Sequence, residues 1–402
     1  MKKTDQQIVQ ELAKRYMELA NSEKQQRSNQ RMKASNDLKI VRPPVLIDEI
    51  PWHELNGDPD LICLCEDPVA RKTEWYFRRA LFQKKHLQTD MLMPDYWKVR
   101  MAYDVTPLGI EPKQERSTRN SKKFVDVLED EEALLQIRDP VFTARPDRDK
   151  KNLAYFSELL GEAMPVRLVG ANCLYSQFWD DISELRGVEP IYEDMYDRPE
   201  YLHRIMQKFI ARANAKMDFL ETQFHVDNDP HSLHCTPGMI SGLENDGLKA
   251  TWYRGMAQPF SCVSPAMFKE FELDYIKPLA MRCAYTYYGC CEPLDDRIEL
   301  LKTIGNLRKV GVSPWANVEK CAEQLGKDYV FARKPNPANV AIKTSPEQIR
   351  KETEAAVKAC LKYGCPAEFV LKDITTVSHK FENLTVWANT VSEVLDEYYE
   401  KS

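Results

Sequence analysis

The chain has 402 residues, of which 43% are hydrophobic and 29% charged, and its formal net charge is −6. These values are typical of a globular protein, and the acidic balance gives no basic surface for nucleic acid. No apolar run approaches the roughly 20 residues that cross a bilayer, and no signal peptide follows the first residues, which predicts a cytoplasmic protein without a membrane partner. The eleven cysteines are therefore expected to be reduced thiols, most of them buried.

Residues 1–40 are predicted to form a helical arm. Four apolar side chains follow one another at helical spacing in this stretch: Ile8, Leu12, Tyr16 and Leu19. Pro43 and Pro44 end the pattern, because proline cannot continue a helix. The arm is interpreted as an element that packs on a surface or a partner and takes no part in catalysis.

Residues 41–152 are predicted to form a segment that packs on the domain after it. Short strands are expected at 45–47 and 61–64, and a helix at 69–87. The polar, charge-dense stretch 111–152 is interpreted as surface helices and loops, because runs of charge are usually solvated.

Residues 153–402 alternate between strand-like and helix-like patterns, which favours an α/β fold with a parallel sheet. Strands are expected at 166–169, 283–290, 307–313, 329–333 and 369–373. Helices are expected to begin at Pro199, Pro265 and Pro346, and the last of them to end at Gly364. Roughly six units are recognised, and about eight would close a barrel. No glycine-rich phosphate loop follows the first strand, which disfavours an open nucleotide-binding sheet.

The sequence Cys290-Cys291-Glu292 follows an apolar, aromatic run at the expected end of a strand. Thiolate and carboxylate are ligands that zinc accepts. If the strand continues through both thiols, only one can face the mouth of a barrel; Cys291 is favoured, and the opposite parity is the alternative. The competing interpretation is a pair of small buried residues before a turn.

Two histidines and a cysteine, His231, His234 and Cys235, fall within five positions on an expected loop. Their imidazole and thiol groups could complete a zinc site with Cys291. The alternative is that the histidines bind substrate or form hydrogen bonds within the protein.

Trp252, Arg254 and Gln258 lie together just before a proline. The guanidinium of Arg254 is suited to bidentate binding of a carboxylate, and a surface ion pair is the alternative.

Polar residues also follow the next strands. Lys334 and Asn336 are held between prolines, and Lys372 and Asp373 end the last strand. A lysine and an aspartate at a strand end can serve as an electrostatic stabiliser and a general acid or base, although one of them could merely cap the following helix.

These motifs resemble the uroporphyrinogen decarboxylase superfamily, including its corrinoid-protein methyltransferase branch. The resemblance covers roughly residues 160 to 395 and rests on two helix starts, at 196–202 and 264–271, and on the order of the four strands after them. It is strongest to a subgroup marked by the sequences Tyr288-Gly289-Cys290-Cys291-Glu292-Pro293, Ser313-Pro314-Trp315 and Lys334-Pro335-Asn336-Pro337.

The resemblance implies a TIM-like (β/α)8 barrel with an N-terminal helical extension and an active site at its C-terminal mouth. The methyltransferase branch holds zinc with a His-x-Cys pair and a distant Cys. Cys291 would occupy the Cys of the pair, but Gly289 stands where the His would be and the distant Cys falls near Asp373. The zinc site is therefore expected to be altered, with Glu292, His234 or Asp373 as replacement ligands.

Three functions follow. The favoured one is zinc-assisted methyl transfer between a small methylated metabolite and an acceptor such as a corrinoid on a partner protein. The second is decarboxylation of uroporphyrinogen or a related acid, although residues 41–45 lack the Arg-rich, Gly-containing segment of the decarboxylases. The third is a non-catalytic barrel that binds a corrinoid or a protein through the arm.

The candidate site residues fall into three groups. Those expected to act in catalysis are Lys334, Asp373 and Glu292; those expected to bind substrate are Arg254, Trp252, Gln258, Asn336 and His231; those expected to bind metal are Cys291, Cys290 and His234. The expected domains are 1–40, 41–152 and 153–402, and a homodimer is one expected assembly.

Overall fold

The computed structural model describes residues 3–55, 57–116, 122–222, 233–244, 247–342 and 344–399. The helices in these ranges are α1 (Asp5–Ala20), α2 (Glu23–Asn36), α3 (Pro68–His86), α4 (Glu131–Leu135), α5 (Pro146–Leu160), α6 (Phe178–Arg186), α7 (Val188–Asp197), α8 (Pro199–Thr222), α9 (Pro265–Phe268), α10 (Asp274–Ala280), α11 (Ile298–Leu301), α12 (Val318–Leu325), α13 (Ala338–Ala341), α14 (Pro346–Tyr363) and α15 (Glu382–Tyr399). The strands are β1 (Val45–Ile47), β2 (Trp97–Arg100), β3 (Tyr103–Val105), β4 (Lys113–Arg116), β5 (Lys122–Val125), β6 (Phe142–Ala144), β7 (Val166–Val169), β8 (Cys173–Ser176), β9 (Trp252–Gly255), β10 (Tyr285–Tyr288), β11 (Leu307–Val312), β12 (Val330–Arg333) and β13 (Ala367–Leu371).

Seven parallel strands form the central sheet, in the order β1-β13-β12-β11-β10-β9-β8. From β8 to β13 this order follows the chain, as it does in an α/β barrel. In the described residues, however, no strand pairing joins β1 to β8. The predicted α/β class is therefore confirmed, whereas the predicted closed eight-stranded barrel is replaced by a seven-stranded sheet that is open at one seam.

The seam stays open because one expected strand pairs elsewhere. The strand predicted at 166–169 forms as β7, but it pairs in parallel with β2 in a separate two-stranded sheet. It therefore does not supply an eighth strand between β1 and β8.

A stretch without regular structure packs against both edges of the seam. We call residues 233–240 the inserted segment. Leu233 belongs to the same apolar cluster as Cys173 of β8, and Cys235 belongs to the same cluster as Leu46 of β1. Side-chain packing thus takes the place that a strand ladder would have in a closed barrel.

The predicted helical arm forms as two helices, α1 and α2. The apolar face of α1, including Ile8, Leu12 and Tyr16, is buried against α3 and α5. At the end of α2, the amide nitrogen of Asn36 donates to the carbonyls of Pro237 and Met239, at 3.0 and 2.8 Å. The arm therefore packs on its own chain and holds the inserted segment.

The strand predicted at 61–64 is wrong. A 3-10 turn, Pro59–Leu61, precedes an extended stretch, and the carboxylate of Glu74 accepts the backbone N–H groups of Leu64 and Cys65. These N–H groups therefore form hydrogen bonds with a side chain instead of with a neighbouring strand.

The stretch 111–152 also differs from its prediction of helices and loops. It contains α4 and α5, but β4 and β5 also pair as an antiparallel hairpin, and β6 pairs with β3. The charged hairpin strands lack the alternation of apolar residues by which strands are recognised.

The helix starts predicted from Ser-Pro and Asp-Arg-Pro are confirmed. The side chain of Ser264 accepts the N–H of Met267, and that of Ser345 accepts the N–H of Gln348. Gly364 ends α14 in the left-handed region, with φ of +71°. Between α9 and α10 the helix passes through a π-helical stretch, Lys269–Leu273, which the sequence pattern does not reveal.

Candidate active site

Two thiols meet in the turn after β10. The strand ends at Tyr288, and Gly289 turns the chain with φ of +96°. The sulfurs of Cys290 and Cys291 lie 3.6 Å apart, with Cys290 only 2% exposed and Cys291 half-buried. The expected alternation of the two side chains therefore does not apply, because the strand stops before it reaches them.

Gly289 is required at this turn. A Cβ at this position would lie 2.3 Å from Cδ1 of Leu294, and its positive φ disfavours other residues. The guanidinium of Arg254, which is fully buried, donates to the Gly289 carbonyl at 2.7 Å and also to that of Gly255. Arg254 therefore fixes the backbone that carries the thiols.

The thiols lie in a row of polar side chains from three parts of the chain. His234 Nε2 is 3.9 Å from the sulfur of Cys290, and Asp373 Oδ2 is 3.1 Å from the sulfur of Cys291. The ammonium of Lys372 donates to the Cys291 sulfur at 3.1 Å and to the other oxygen of Asp373. The structure thus brings together four predicted site residues, Cys290, Cys291, His234 and Asp373.

The backbone beside this row is strained. His234, Cys235 and Asp373 have φ of +65°, +56° and +60°, values that residues other than glycine seldom adopt. Strain of this kind persists where surrounding contacts hold it, and it often marks a functional site.

The thiol pair loses one proton readily. The hydrogen bond from Cys291 lowers the pKa of Cys290 against the effect of burial, with help from His234 and from the charges of Arg254 and Lys372. The same hydrogen bond, together with burial, raises the pKa of Cys291. The arrangement favours one negative charge on the pair.

Beneath the thiols, the sheet interior holds polar groups whose hydrogen bonds are incomplete. Lys334 is 1% exposed and its Nζ lies 5.6 Å from the ring centre of Tyr287. Within the described residues, neither Lys334 Nζ nor the Tyr287 hydroxyl has a hydrogen-bond partner. A buried donor without a partner is costly, so these groups are suited to receive a polar ligand.

A second buried cluster lies nearer the start of the strands. The ammonium of Lys309 is 2.7 Å from Glu368 Oε2 and 3.0 Å from the Thr236 hydroxyl, which itself donates to Glu368 at 2.6 Å. Burial lowers the pKa of Lys309, although Glu368 opposes the change. The sequence analysis did not identify this cluster, because its members come from β11, β13 and the inserted segment.

Glu292 faces the backbone. It is 1% exposed, and its carboxylate accepts the N–H of Cys290 at 2.9 Å and that of Ala257 at 3.3 Å. Burial and the charge of Cys290 raise its pKa. Its contacts shape the turn, which is the role of a positioning residue.

Three of the residues expected to bind substrate make contacts within the protein. The Trp252 indole donates to the Gly238 carbonyl at 3.0 Å, the Gln258 amide to the Met256 sulfur at 3.6 Å, and the Asn336 side chain accepts the N–H of Ala338 at 3.0 Å. Arg254 likewise donates to two backbone carbonyls, and His231 lies outside the described residues.

Asp180 is a candidate that the sequence analysis missed. It lies in the first turn of α6, directly after β8, and Oδ2 accepts the N–H of Gln258 at 3.2 Å. An aspartate directly after a strand is a sequence feature that could have identified it, but the short strand β8 was not predicted.

The donor types in the row suit zinc, but their arrangement does not. In the part of the chain that the structure describes, no group of three or more His, Cys, Asp and Glu side chains is placed to hold a metal ion. The ammonium of Lys372 is bonded to both Cys291 and Asp373, where a metal ion would compete with it. Zinc binding therefore requires Lys372 to move.

Across the described residues, no helix combines the length and apolar character needed to cross a bilayer.

Comparisons with known proteins assign no family to the chain. No family model matches the chain, and no curated protein matches it. A solved structure, a methyltransferase from Methanosarcina mazei, is 12% identical, with a TM-score of 0.48 over 92% of this chain and 99% of that one. At this distance the likeness assigns neither a family nor a reaction to the chain.

Proposed function

We propose that the protein is a thiol-dependent methyltransferase. The observation that carries the proposal is the contact of the Cys290–Cys291 pair with His234, Lys372 and Asp373 at the C-terminal ends of β10 and β13. In α/β folds chemistry collects at these strand ends. A thiolate flanked by cations is a strong nucleophile toward a methyl carbon.

In this proposal the methyl group passes through Cys290. Its sulfur attacks the methyl carbon of a small donor, the new S–C bond forms, and the bond from carbon to the leaving atom breaks with its electrons on that atom. Lys372 balances the negative charge before the attack, and His234 lies against the sulfur of Cys290. A nucleophilic acceptor, such as a reduced corrinoid on a partner protein, then takes the methyl group and returns the electron pair to Cys290.

Labelling tests the proposal directly. The full chain, purified without oxygen, is incubated with methyl-labelled alcohols, ethers, amines and sulfides, and peptide mass spectrometry locates the label. Label on Cys290 that leaves when reduced cobalamin is added supports the proposal. Cys290→Ala should lower the labelling rate at least about 1,000-fold.

Cys262→Ala is the matched control, because Cys262 is an exposed thiol outside the site. It should label like the unmodified chain. Failure of every donor to label the chain, or full labelling of Cys290→Ala, would contradict the proposal.

The zinc prediction has its own test. When bound, zinc would hold a thiol as thiolate; His234, Cys290, Cys291 and Asp373 are the donors available to it. Because Lys372 is bonded to Cys291 and Asp373, we expect little zinc in the unmodified chain by plasma mass spectrometry, and tighter zinc binding in Lys372→Met, where the competing ammonium is gone. If neither the unmodified chain nor Lys372→Met contains zinc, even after zinc is added, methyl transfer does not use zinc.

Decarboxylation is a second candidate. It is favoured by the buried ammonium of Lys334, which has no hydrogen-bond partner among the described residues and would suit a substrate carboxylate. It predicts release of carbon dioxide from uroporphyrinogen, or a related acid, in the presence of a chelator and without oxygen. Labelling of Cys290 without any such release would decide between the two candidates.

A further inference from the structure

Asp180 is joined to the thiol turn by consecutive backbone N–H groups. Gln258 N–H donates to Asp180 at 3.2 Å, and the preceding N–H, that of Ala257, donates to Glu292 at 3.3 Å. The second oxygen of Glu292 accepts the N–H of Cys290 at 2.9 Å. The loop after β9 therefore fixes Asp180 beside the turn that carries the nucleophile.

The surroundings of Asp180 contain acids and no paired cation. Across the described residues, no Lys or Arg forms an ion pair with it. The titratable groups that face it come from its own helix, from β8, from the π-helical stretch and from the thiol turn: Asp181, Tyr175, Glu272, Cys290 and Glu292. Burial, together with the charges of Glu292, Asp181 and Cys290, raises the pKa of Asp180 to about 7, although the Gln258 N–H opposes the change.

We propose that Asp180 is the general acid of the methyl transfer and that the donor is a methyl ether. This inference rests on the proposed function. As the Cys290 sulfur bonds to the methyl carbon, the carbon–oxygen bond breaks, its electron pair goes to oxygen, and Asp180 gives that oxygen its proton. The products are a methylated Cys290, an alcohol or phenol, and the Asp180 carboxylate.

The donor class follows from the need for a proton. An ether oxygen is a poor leaving group unless it is protonated, so a carboxyl group that keeps its proton at neutral pH is useful to it. A methylated sulfonium or ammonium leaves as a neutral molecule and needs no proton. A site built for such a donor would have no use for an acid at this position.

Two donors separate the possibilities. Methylation of Cys290 in the full chain is measured in a single turnover with methyl phenyl ether and, separately, with trimethylsulfonium. We expect Asp180→Asn to slow the ether reaction at least about 100-fold and to change the sulfonium reaction less than about twofold. The sulfonium reaction also shows that the variant is folded.

The pH profile supplies a second readout. The ether rate should fall as pH rises through about 7, because Asp180 loses its proton there. Asp180→Glu should restore part of the rate. Glu189→Gln, which removes an exposed carboxylate on α7, should behave like the unmodified chain.

Each outcome decides something. Equal slowing of both donors by Asp180→Asn, or no slowing of either, overturns the role of Asp180 while the proposed function stands. If trimethylsulfonium methylates Cys290 but no ether does, the inference that the donor is a methyl ether is wrong. A chain that neither donor methylates overturns the proposed function, and the inference with it.

Discussion

Two charged clusters occupy the interior of the same sheet, and they differ in how far they are exposed to solvent. In the floor cluster, Lys309, Glu368 and Thr236 bind one another, and each is almost fully buried. At the mouth, Lys372 and the thiols are held in a more open site beside exposed His234 and Asp373. The difference indicates that the floor stabilises the fold, whereas the mouth keeps its groups available for chemistry.

The largest expected effect lies at the floor. Lys309→Met leaves the Glu368 carboxylate buried without its cation, which typically costs about 3–5 kcal/mol of unfolding free energy. Urea denaturation measures the loss. The double variant Lys309→Met, Glu368→Met should recover most of it, because an apolar pair of similar volume is often as stable as a buried ion pair. A loss of unfolding free energy below about 1 kcal/mol would show that the floor cluster does not stabilise the fold.

Lys334 is buried, and its charge acts on Glu368 of the floor cluster, so its replacement tests the distinction between the two clusters. Lys334→Met removes a buried donor that has no hydrogen-bond partner in the described structure, so stability should hold or rise. If the lysine binds an anionic part of the substrate, KM should rise about 10- to 100-fold, because a charge-assisted hydrogen bond to the substrate is lost. The value of kcat should be less affected. If Lys334→Met leaves KM unchanged but lowers the free energy of unfolding strongly, Lys334 stabilises the fold as the floor cluster does and does not bind substrate.

A smaller effect is expected at Thr236. Thr236→Val removes the hydroxyl that donates to Glu368 and accepts from Lys309, while the ion pair stays. The expected loss is about 1–2 kcal/mol, measured by the same denaturation. The methylation rate of Cys290 should fall as well, because Thr236 anchors the inserted segment that carries His234.

The smallest effect on stability is expected at the mouth. Cys291→Ala removes a half-buried sulfur and should cost less than about 1 kcal/mol, while methyl transfer falls because the hydrogen bond to Cys290 is lost. Thermal unfolding and the labelling rate check the two halves of this prediction. A large loss of stability would show that the mouth also holds the fold together.

Sequence patterns predicted most of the sheet because each long strand carries an apolar run bounded by turns. They predicted β1 and β10 to β13, and the helices that start at a capped proline. They missed β8 and β9, whose sequences, Cys-Leu-Tyr-Ser and Trp-Tyr-Arg-Gly, give no clear apolar run. They could not show that 166–169 pairs outside the central sheet, because strand pairing depends on distant parts of the chain.

For the site, local motifs identified the thiols and the strand-end residues, and His234 came from a local cluster. The pattern could not show that Arg254 is fully buried against the carbonyls of Gly255 and Gly289, since both of those contacts depend on the turn. Asp180, Lys309 and Glu368 carry no local signal. Their neighbours are set by the sheet order and by the inserted segment.

The contact between the arm and the inserted segment links the candidate site to a remote helix. The side-chain amide of Asn36 donates hydrogen bonds to the carbonyls of Pro237 and Met239, a few residues from His234 and Cys235. Both of these have left-handed backbones, each costing roughly 1–3 kcal/mol, so a released segment would relax away from them. A change in α2 could therefore dismantle the site without touching any residue in it, and activity would report on the integrity of the arm.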